Sequence, residues 1–212
     1  MCNSPDLEAT VSMPDETLDY YLLTGPDAVL VEEFTRAADG CATGLRSAVW
    51  THSGWRAAAS FSRRLRTDRA QLARLTPVSR RTAAETFHAL GGGALPSEPD
   101  LRAEFADFEP FATAPPLRLG PADDTTRLYR VLFACAREPL DPPAPLAAGR
   151  RRIDDDVFTW HLRRVGNGLG WALDLTARLA TAADDAVAPL LRELTTASRA
   201  HGLVPVTTER FS

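Results

Sequence analysis

The chain has 212 residues, 44% of them hydrophobic and 25% charged, with a net charge of −4, the make-up of an ordinary globular protein with a core of its own. Lysine is absent and all 24 basic residues are arginine. Chemistry that needs a lysine amine is therefore excluded: Schiff bases on PLP or carbonyl substrates, P-loop NTPases and protein kinases.

No apolar run approaches the roughly 18 residues of a membrane span. The N-terminal Met-Cys-Asn-Ser-Pro-Asp has neither the basic nor the apolar region of a signal peptide, so the expected location is the cytoplasm. Cys2, Cys41 and Cys135 are odd in number and far apart, which predicts reduced thiols rather than a disulfide framework or a zinc site.

In chain order, residues 1–14 read as a flexible tail, with Pro5, Pro14 and little periodicity. Residues 15–120 read as a mainly helical half. A short helix is expected over 15–23 and another from Asp27 to about Gly40, where Leu30, Phe34, Ala37 and Ala38 share a helical face, although Ala28 to Val31 equally suits a strand. Leu45 to His52 fits helix or strand. Ser53 is placed to cap a helix through Leu75, with Ala58, Phe61, Leu65, Leu72 and Leu75 inside and Asp68 interrupting the stripe. Thr76-Pro77 stops it and starts a second helix to Leu90, closed by Gly91-Gly92-Gly93. Ser97-Glu-Pro-Asp100 opens a short helix with Leu101, Phe105 and Phe108 on one side. Pro110, Pro115, Pro116 and Pro121 then make a loop.

Residues 121–212 read as an antiparallel sheet with a helix. Arg127 to Ala136 is a strand, and the segment 157–179 a hairpin. Asn167-Gly168 between two alternating runs predicts a type I′ turn. That turn sets Leu162 opposite Leu173, Trp160 opposite Leu175 and Phe158 opposite Ala177 on an apolar face. His161 then faces Asp174, Thr159 faces Thr176 and Val157 faces Arg178 on the other. A one-residue slip would oppose apolar to polar along the whole length. A helix over 185–201, capped by Asp184 or Asp185, presents Val187, Leu190, Leu191 and Leu194, and 204–210 returns as a strand whose Pro205 favours a sheet edge. The expected fold is α+β: a helical N-terminal half packed on a small antiparallel sheet with a C-terminal helix, in one compact domain.

No motif specifies a chemistry. His161 opposite Asp174 is the sharpest catalytic candidate, since a carboxylate across a strand pair is close enough to orient an imidazole as a general base. A surface pair beside Arg163 and Arg178 explains the same residues. The histidines are scattered and the run Asp154-Asp155-Asp156 reads as a solvated turn, so no metal is expected, and no cofactor. Gly166-Asn-Gly-Leu-Gly170 joins two antiparallel strands, which excludes dinucleotide binding.

Charge is segregated: nine acids against Arg36 alone over residues 1–39, and eight arginines against Asp68 and Glu85 over 53–90. Arg63, Arg64, Arg66, Arg80 and Arg81 are the candidate partner-binding residues, unless the acidic and basic segments face each other. The helix pair 53–90 carries a weaker nucleic-acid reading. The expected function is a cytoplasmic, non-enzymatic interaction or accessory protein with a protein partner. The alternative is a small tailoring enzyme or small-molecule-binding protein, with His161 and Asp174 in a pocket lined by Trp50, Trp55 and Trp171.

Overall fold

A computed structural model describes residues 17–111, 125–135, 144–166 and 170–211. Two antiparallel sheets organise them, and strand makes up 44% against 26% helix. In order, the elements are β1 (Asp19–Leu23), β2 (Ala28–Arg36), β3 (Ala42–Thr51), β4 (Gly54–Ala57), α1 (Ala59–Leu65), α2 (Arg69–Leu72), β5 (Leu75–Val78), α3 (Arg80–Ala89), α4 (Glu98–Ala103) and β6 (Glu109–Pro110). There follow β7 (Thr126–Ala134), α5 (Ala144–Ala147), β8 (Ala148–Ile153), β9 (Asp156–Val165), β10 (Gly170–Arg178), α6 (Val187–Ala200) and β11 (Val204–Arg210).

The first sheet runs β4-β3-β2-β1-β5, with β6 against β3, and the second runs β11-β7-β10-β9-β8. The expectation of a helical N-terminal half is thereby overturned. The helix expected over 15–23 is β1, and the one expected from Asp27 is β2. The physical reason lies in β2, whose first five residues are buried on both faces of a covered sheet. Two-sided burial erases alternation and leaves an apolar run that a helical stripe fits equally well.

The long helix expected from Ser53 is also broken. Gly54, at φ +105°, turns the chain so that Trp55 pairs with Trp50 across β3 and β4. Asp68 interrupts the stripe because it caps a separate helix: its side chain accepts from the Ala70 amide at 2.8 Å and the Gln71 amide at 3.3 Å. Thr76-Pro77 lies in β5, at the sheet edge where proline is tolerated, and Ser79 caps α3. The pair expected to form a continuous basic helical hairpin over 53–90 is three helices divided by an edge strand.

One face of the first sheet packs Tyr20, Val29, Val31 and Ala48 under Ala83 and Phe87 of α3 and Leu101 of α4. The opposite face packs Tyr21, Leu23, Ala28 and Leu30 against Leu65, Leu72 and Val204 of β11, which joins it to the second sheet.

The second sheet follows the sequence reading closely. Leu162 pairs with Leu173, Trp160 with Leu175, Phe158 with Ala177 and His161 with Asp174, the register argued from alternation; the turn residues Asn167 and Gly168 lie outside the described residues. Val187, Leu190, Leu191 and Leu194 of α6 cover its apolar face with Tyr129, Val131 and Phe133. The helix starts from Ala186 rather than from an aspartate side-chain cap. β11 is an edge strand with a bulge between Pro205 and Thr207.

Candidate functional site: the cleft between the sheets

Where the sheets meet, the sequence places charge inside. Asp19, Tyr21, Glu32 and Ser47, from β1, β2 and β3, are all buried on the face turned to the second sheet. Arg66, just past α1, donates from Nη2 to Glu32 Oε2 at 2.5 Å, from Nη1 to Oε1 at 3.1 Å and from Nε to the Pro205 carbonyl at 2.6 Å. Ser62 also donates to Glu32. Arg199 of α6 pairs with Asp19 at 2.9 Å, donates to the Tyr20 carbonyl and stacks over the Tyr21 ring at 4.9 Å. Burial pushes the Asp19 carboxyl up despite the Arg199 charge, and pushes the Tyr21 phenol up as well. Among the described residues, Ser47 Oγ is buried without a hydrogen-bond partner. This layer ties β1 and β2 to α6 and β11.

Beside it opens a cleft of about 680 Å³, within the size range of ligand sites. Phe34 and Arg36 of β2, Tyr129 and Val131 of β7, Leu191 and Arg192 of α6 and Thr207 and Thr208 of β11 are among its walls. Three of its carboxylates are held by arginines outside the lining: Asp19 by Arg199, Glu33 by Arg102 at 2.8 Å and Glu193 by Arg151 at 2.6 Å. Arg36, exposed at the end of β2, donates to the Gly40 carbonyl.

The β11 edge gives the cleft a directional feature. Phe211 donates its amide to the Leu128 carbonyl at 2.7 Å. Hydrogen-bonded and non-bonded pairs alternate in an antiparallel ladder, so Thr208 opposite Val131 and Arg210 opposite Tyr129 turn their backbone groups away from β7. The Arg210 amide accordingly reaches Cys41 Sγ at 3.2 Å, and the Val206 carbonyl receives Arg63 Nη1 at 3.3 Å. Between them, Thr208 lines the cleft with its N–H and C=O turned away from β7, the residue as a whole being buried.

The residues singled out from sequence fall in several places. His161 and Asp174 are cross-strand partners on the sheet face opposite α6. His161 is exposed, while Asp174 accepts from Arg130 Nε at 2.5 Å, Arg130 Nη2 at 3.1 Å and Arg163 Nε at 3.0 Å. Partial burial works against its charge, but the two arginines win and hold its carboxyl below the usual carboxylate range. Neither residue lines the cleft.

Trp50 and Trp55 pack against Phe87 at 4.8 and 5.7 Å between ring centroids, and Trp171 is in the core of the second sheet, so the tryptophan-lined pocket does not form. Of the candidate partner-binding arginines, Arg66 is buried and Arg63 stacks at 4.4 Å on Phe111. Arg80 donates to Tyr20 Oη and the Pro96 carbonyl. Arg64 is exposed, and Arg81 is exposed 3.7 Å from Glu85. The acidic and basic segments do face each other, at Glu32 and Arg66. Among the described residues no three His, Cys, Asp or Glu side chains converge as a metal site.

Sequence reasoning missed the buried layer and the cleft. The available signal was Glu32 in the series Ala28, Leu30, Glu32, Phe34, a lone carboxylate on an otherwise apolar strand face.

The fold and cleft define a mostly β protein of two antiparallel sheets bridged by one helix. No protein-family model matches the chain, and no curated protein matches it. A solved structure with some likeness is that of MucB in complex with MucA(peri), 14% identical, covering 76% of this chain and 86% of that chain. The TM-score is 0.18, too low for the likeness to carry an argument about fold or function. No helix among the described residues is long and apolar enough to cross a membrane.

Proposed function

We propose that this is a non-enzymatic interaction or accessory protein of the cytoplasm, which holds an extended segment of a protein partner in the cleft between its sheets. The observation that carries this reading is the β11 edge, where the Thr208 backbone turns away from β7 at the cleft wall; with the residue only 4% exposed, a strand laid beside it must seat inside the cleft. Strand addition draws affinity from such main-chain groups and selectivity from neighbouring side-chain pockets. Leu191, Val131 and Phe34 supply apolar contact there, and Arg36 and Arg192 supply charge. The Cys41 thiol, whose sulfur accepts from the Arg210 amide, forms no disulfide among the described residues, which suits a reducing compartment.

The volume of the cleft favours a second reading, a small-molecule ligand in the same place. Photo-crosslinking side chains introduced at Thr207 and Thr195, with Thr159 on the opposite sheet face as control, separate the two in cells that make the protein. The partner reading expects one and the same protein attached from both cleft positions and not from Thr159. Equal labelling from Thr159 overturns it, and a small retained mass in native mass spectrometry with no cleft-specific protein crosslink favours the ligand.

A further inference from the structure

The strand β8 is an edge of the second sheet, paired with β9 on one side and, among the described residues, with no strand on the other. Its hairpin with β9 turns through Asp154 and Asp155, so Ile153 and Asp156 close it as a hydrogen-bonded pair. Bonded and non-bonded pairs alternate from there. Arg150 opposite Thr159 and Arg152 opposite Val157 therefore turn their backbone N–H and C=O outward from β9. Both residues are exposed. The other edges are less open: β5 carries Pro77, β4 is short, and the outward groups of β11 at Val206 and Arg210 are taken.

An open edge is a template for another strand, and its side chains decide which strand it takes. Arg150 and Arg152 stand on the outer sheet face, beside Thr159 and Val157. Among the described residues Arg150 has no ion pair. Arg152 donates to the Asp154 carbonyl and reaches Asp155 at 2.9 Å, with side chains 69% and 80% exposed, a pair that solvent weakens. A second copy of β8 laid alongside would bring arginine against arginine, and like charges directly opposed destabilise a strand pair. A carboxylate opposite Arg150 stabilises one instead. Asp154, Asp155 and Asp156 lie at the hairpin tip, which sets the favourable position for that carboxylate at Arg150 rather than beyond Ile153. On the inner face the edge is apolar. Ile153 and Trp160 pack on the core of the sheet, the Trp160 ring covers Gly149, and Glu193 takes the charge of Arg151 at 2.6 Å.

We propose that β8 is a strand-addition site for an extended acidic segment of another protein, with a carboxylate opposite Arg150 and an apolar side chain at the next position, on the Trp160 side. It stands apart from the cleft reading, because no residue of β8 lines the cleft.

Isotope-labelled full-length protein mixed with the peptide Glu-Val-Glu-Val-Glu, and separately with Lys-Val-Lys-Val-Lys, tests the proposal through NMR shifts and amide hydrogen exchange. The acidic peptide should slow exchange at the Arg150 and Arg152 amides and leave those of Arg151 and Ile153, already bonded to β9, unchanged. The basic peptide should do neither. That alternation separates strand addition from simple attraction to the arginines. Arg150→Glu, an exposed change with no core contact to lose, should weaken binding about fivefold or more, as exchange of an attractive cross-strand pair for a like-charged one implies. Arg178→Glu, on the same sheet face but on β10, should leave the alternating pattern in place. The site is overturned by failure of the acidic peptide to protect the two amides, by equal protection from the basic peptide, by uniform protection along β8, or by unchanged binding in Arg150→Glu. Shifts confined to Thr195 and Thr207 would move the peptide to the cleft and overturn it as well. Protection that rises with protein concentration alone assigns the edge to a second copy of the chain, against an acidic partner.

Discussion

Arg66 and Glu32 meet at 2.5 Å in the seam between the two sheets, with side chains 1% and 0% exposed, and Arg66 also holds the Pro205 carbonyl of β11. One guanidinium thus fixes β2 and the edge strand of the other sheet at once. Removing one partner leaves the other charge buried and alone, which costs about 3–5 kcal/mol. Glu32→Leu and Arg66→Met should each destabilise by that order in urea unfolding. The double change Glu32→Leu with Arg66→Met should cost clearly less than the sum of the single changes. Strict additivity in that double-mutant cycle would show that the pair is not what couples them.

Asp174 gives a pH prediction. Its folded pKa is depressed, chiefly by Arg130 and then Arg163 working against partial burial. The folded chain therefore keeps this carboxylate ionised at a pH where the unfolded chain has begun to protonate it. The stability it contributes is complete above the ordinary aspartate range and is lost as pH falls through the depressed folded value. The pair is partly exposed, so the effect is about 1 kcal/mol. Denaturant unfolding of wild type and Asp174→Asn should show that gap at neutral pH and its closure in acid; a gap that widens in acid contradicts the assignment.

Gly149 on β8 lies opposite Trp160 on β9. The indole donates to the Pro145 carbonyl at 3.0 Å, and a Cβ at residue 149 would stand 2.1 Å from its Cζ2 atom. Gly149→Ala must push the ring away, with a cost of about 1–3 kcal/mol. Trp160 emission should change together with a lower Tm. An unchanged spectrum with unchanged stability would mean that the ring does not cover this glycine.

The second sheet was legible because one face of β9 and β10 is buried and the other faces solvent, so alternation encodes both identity and register down to the pairing of His161 with Asp174. The first sheet was not, because β2 is covered on both faces and its apolar run carries no period. Asp68 looked like a flaw in one helix and is the start of another, a distinction that rests on backbone dihedrals rather than composition. The cleft was illegible for a different reason. Its walls come from β2, β7, α6 and β11, segments far apart in the chain, and no local pattern records that they converge.

His161 offers the sharpest separation between the surface suggested by sequence and the cleft shown by structure. It is exposed beside an aspartate already engaged by Arg130 and Arg163, on the sheet face away from α6. A substitution at such a place changes stability by about 0.5 kcal/mol or less. His161→Ala should therefore unfold at the wild-type denaturant midpoint and leave crosslinking from Thr207 and Thr195 unchanged. Thr208→Pro removes the amide donor on the side of β11 turned away from β7 while leaving the pairs at 207 and 209 with β7 in place. It should abolish that crosslinking, with a native circular dichroism spectrum as the control for folding. If His161→Ala removes the crosslink and Thr208→Pro spares it, the recognition surface is the polar face of the second sheet rather than the cleft.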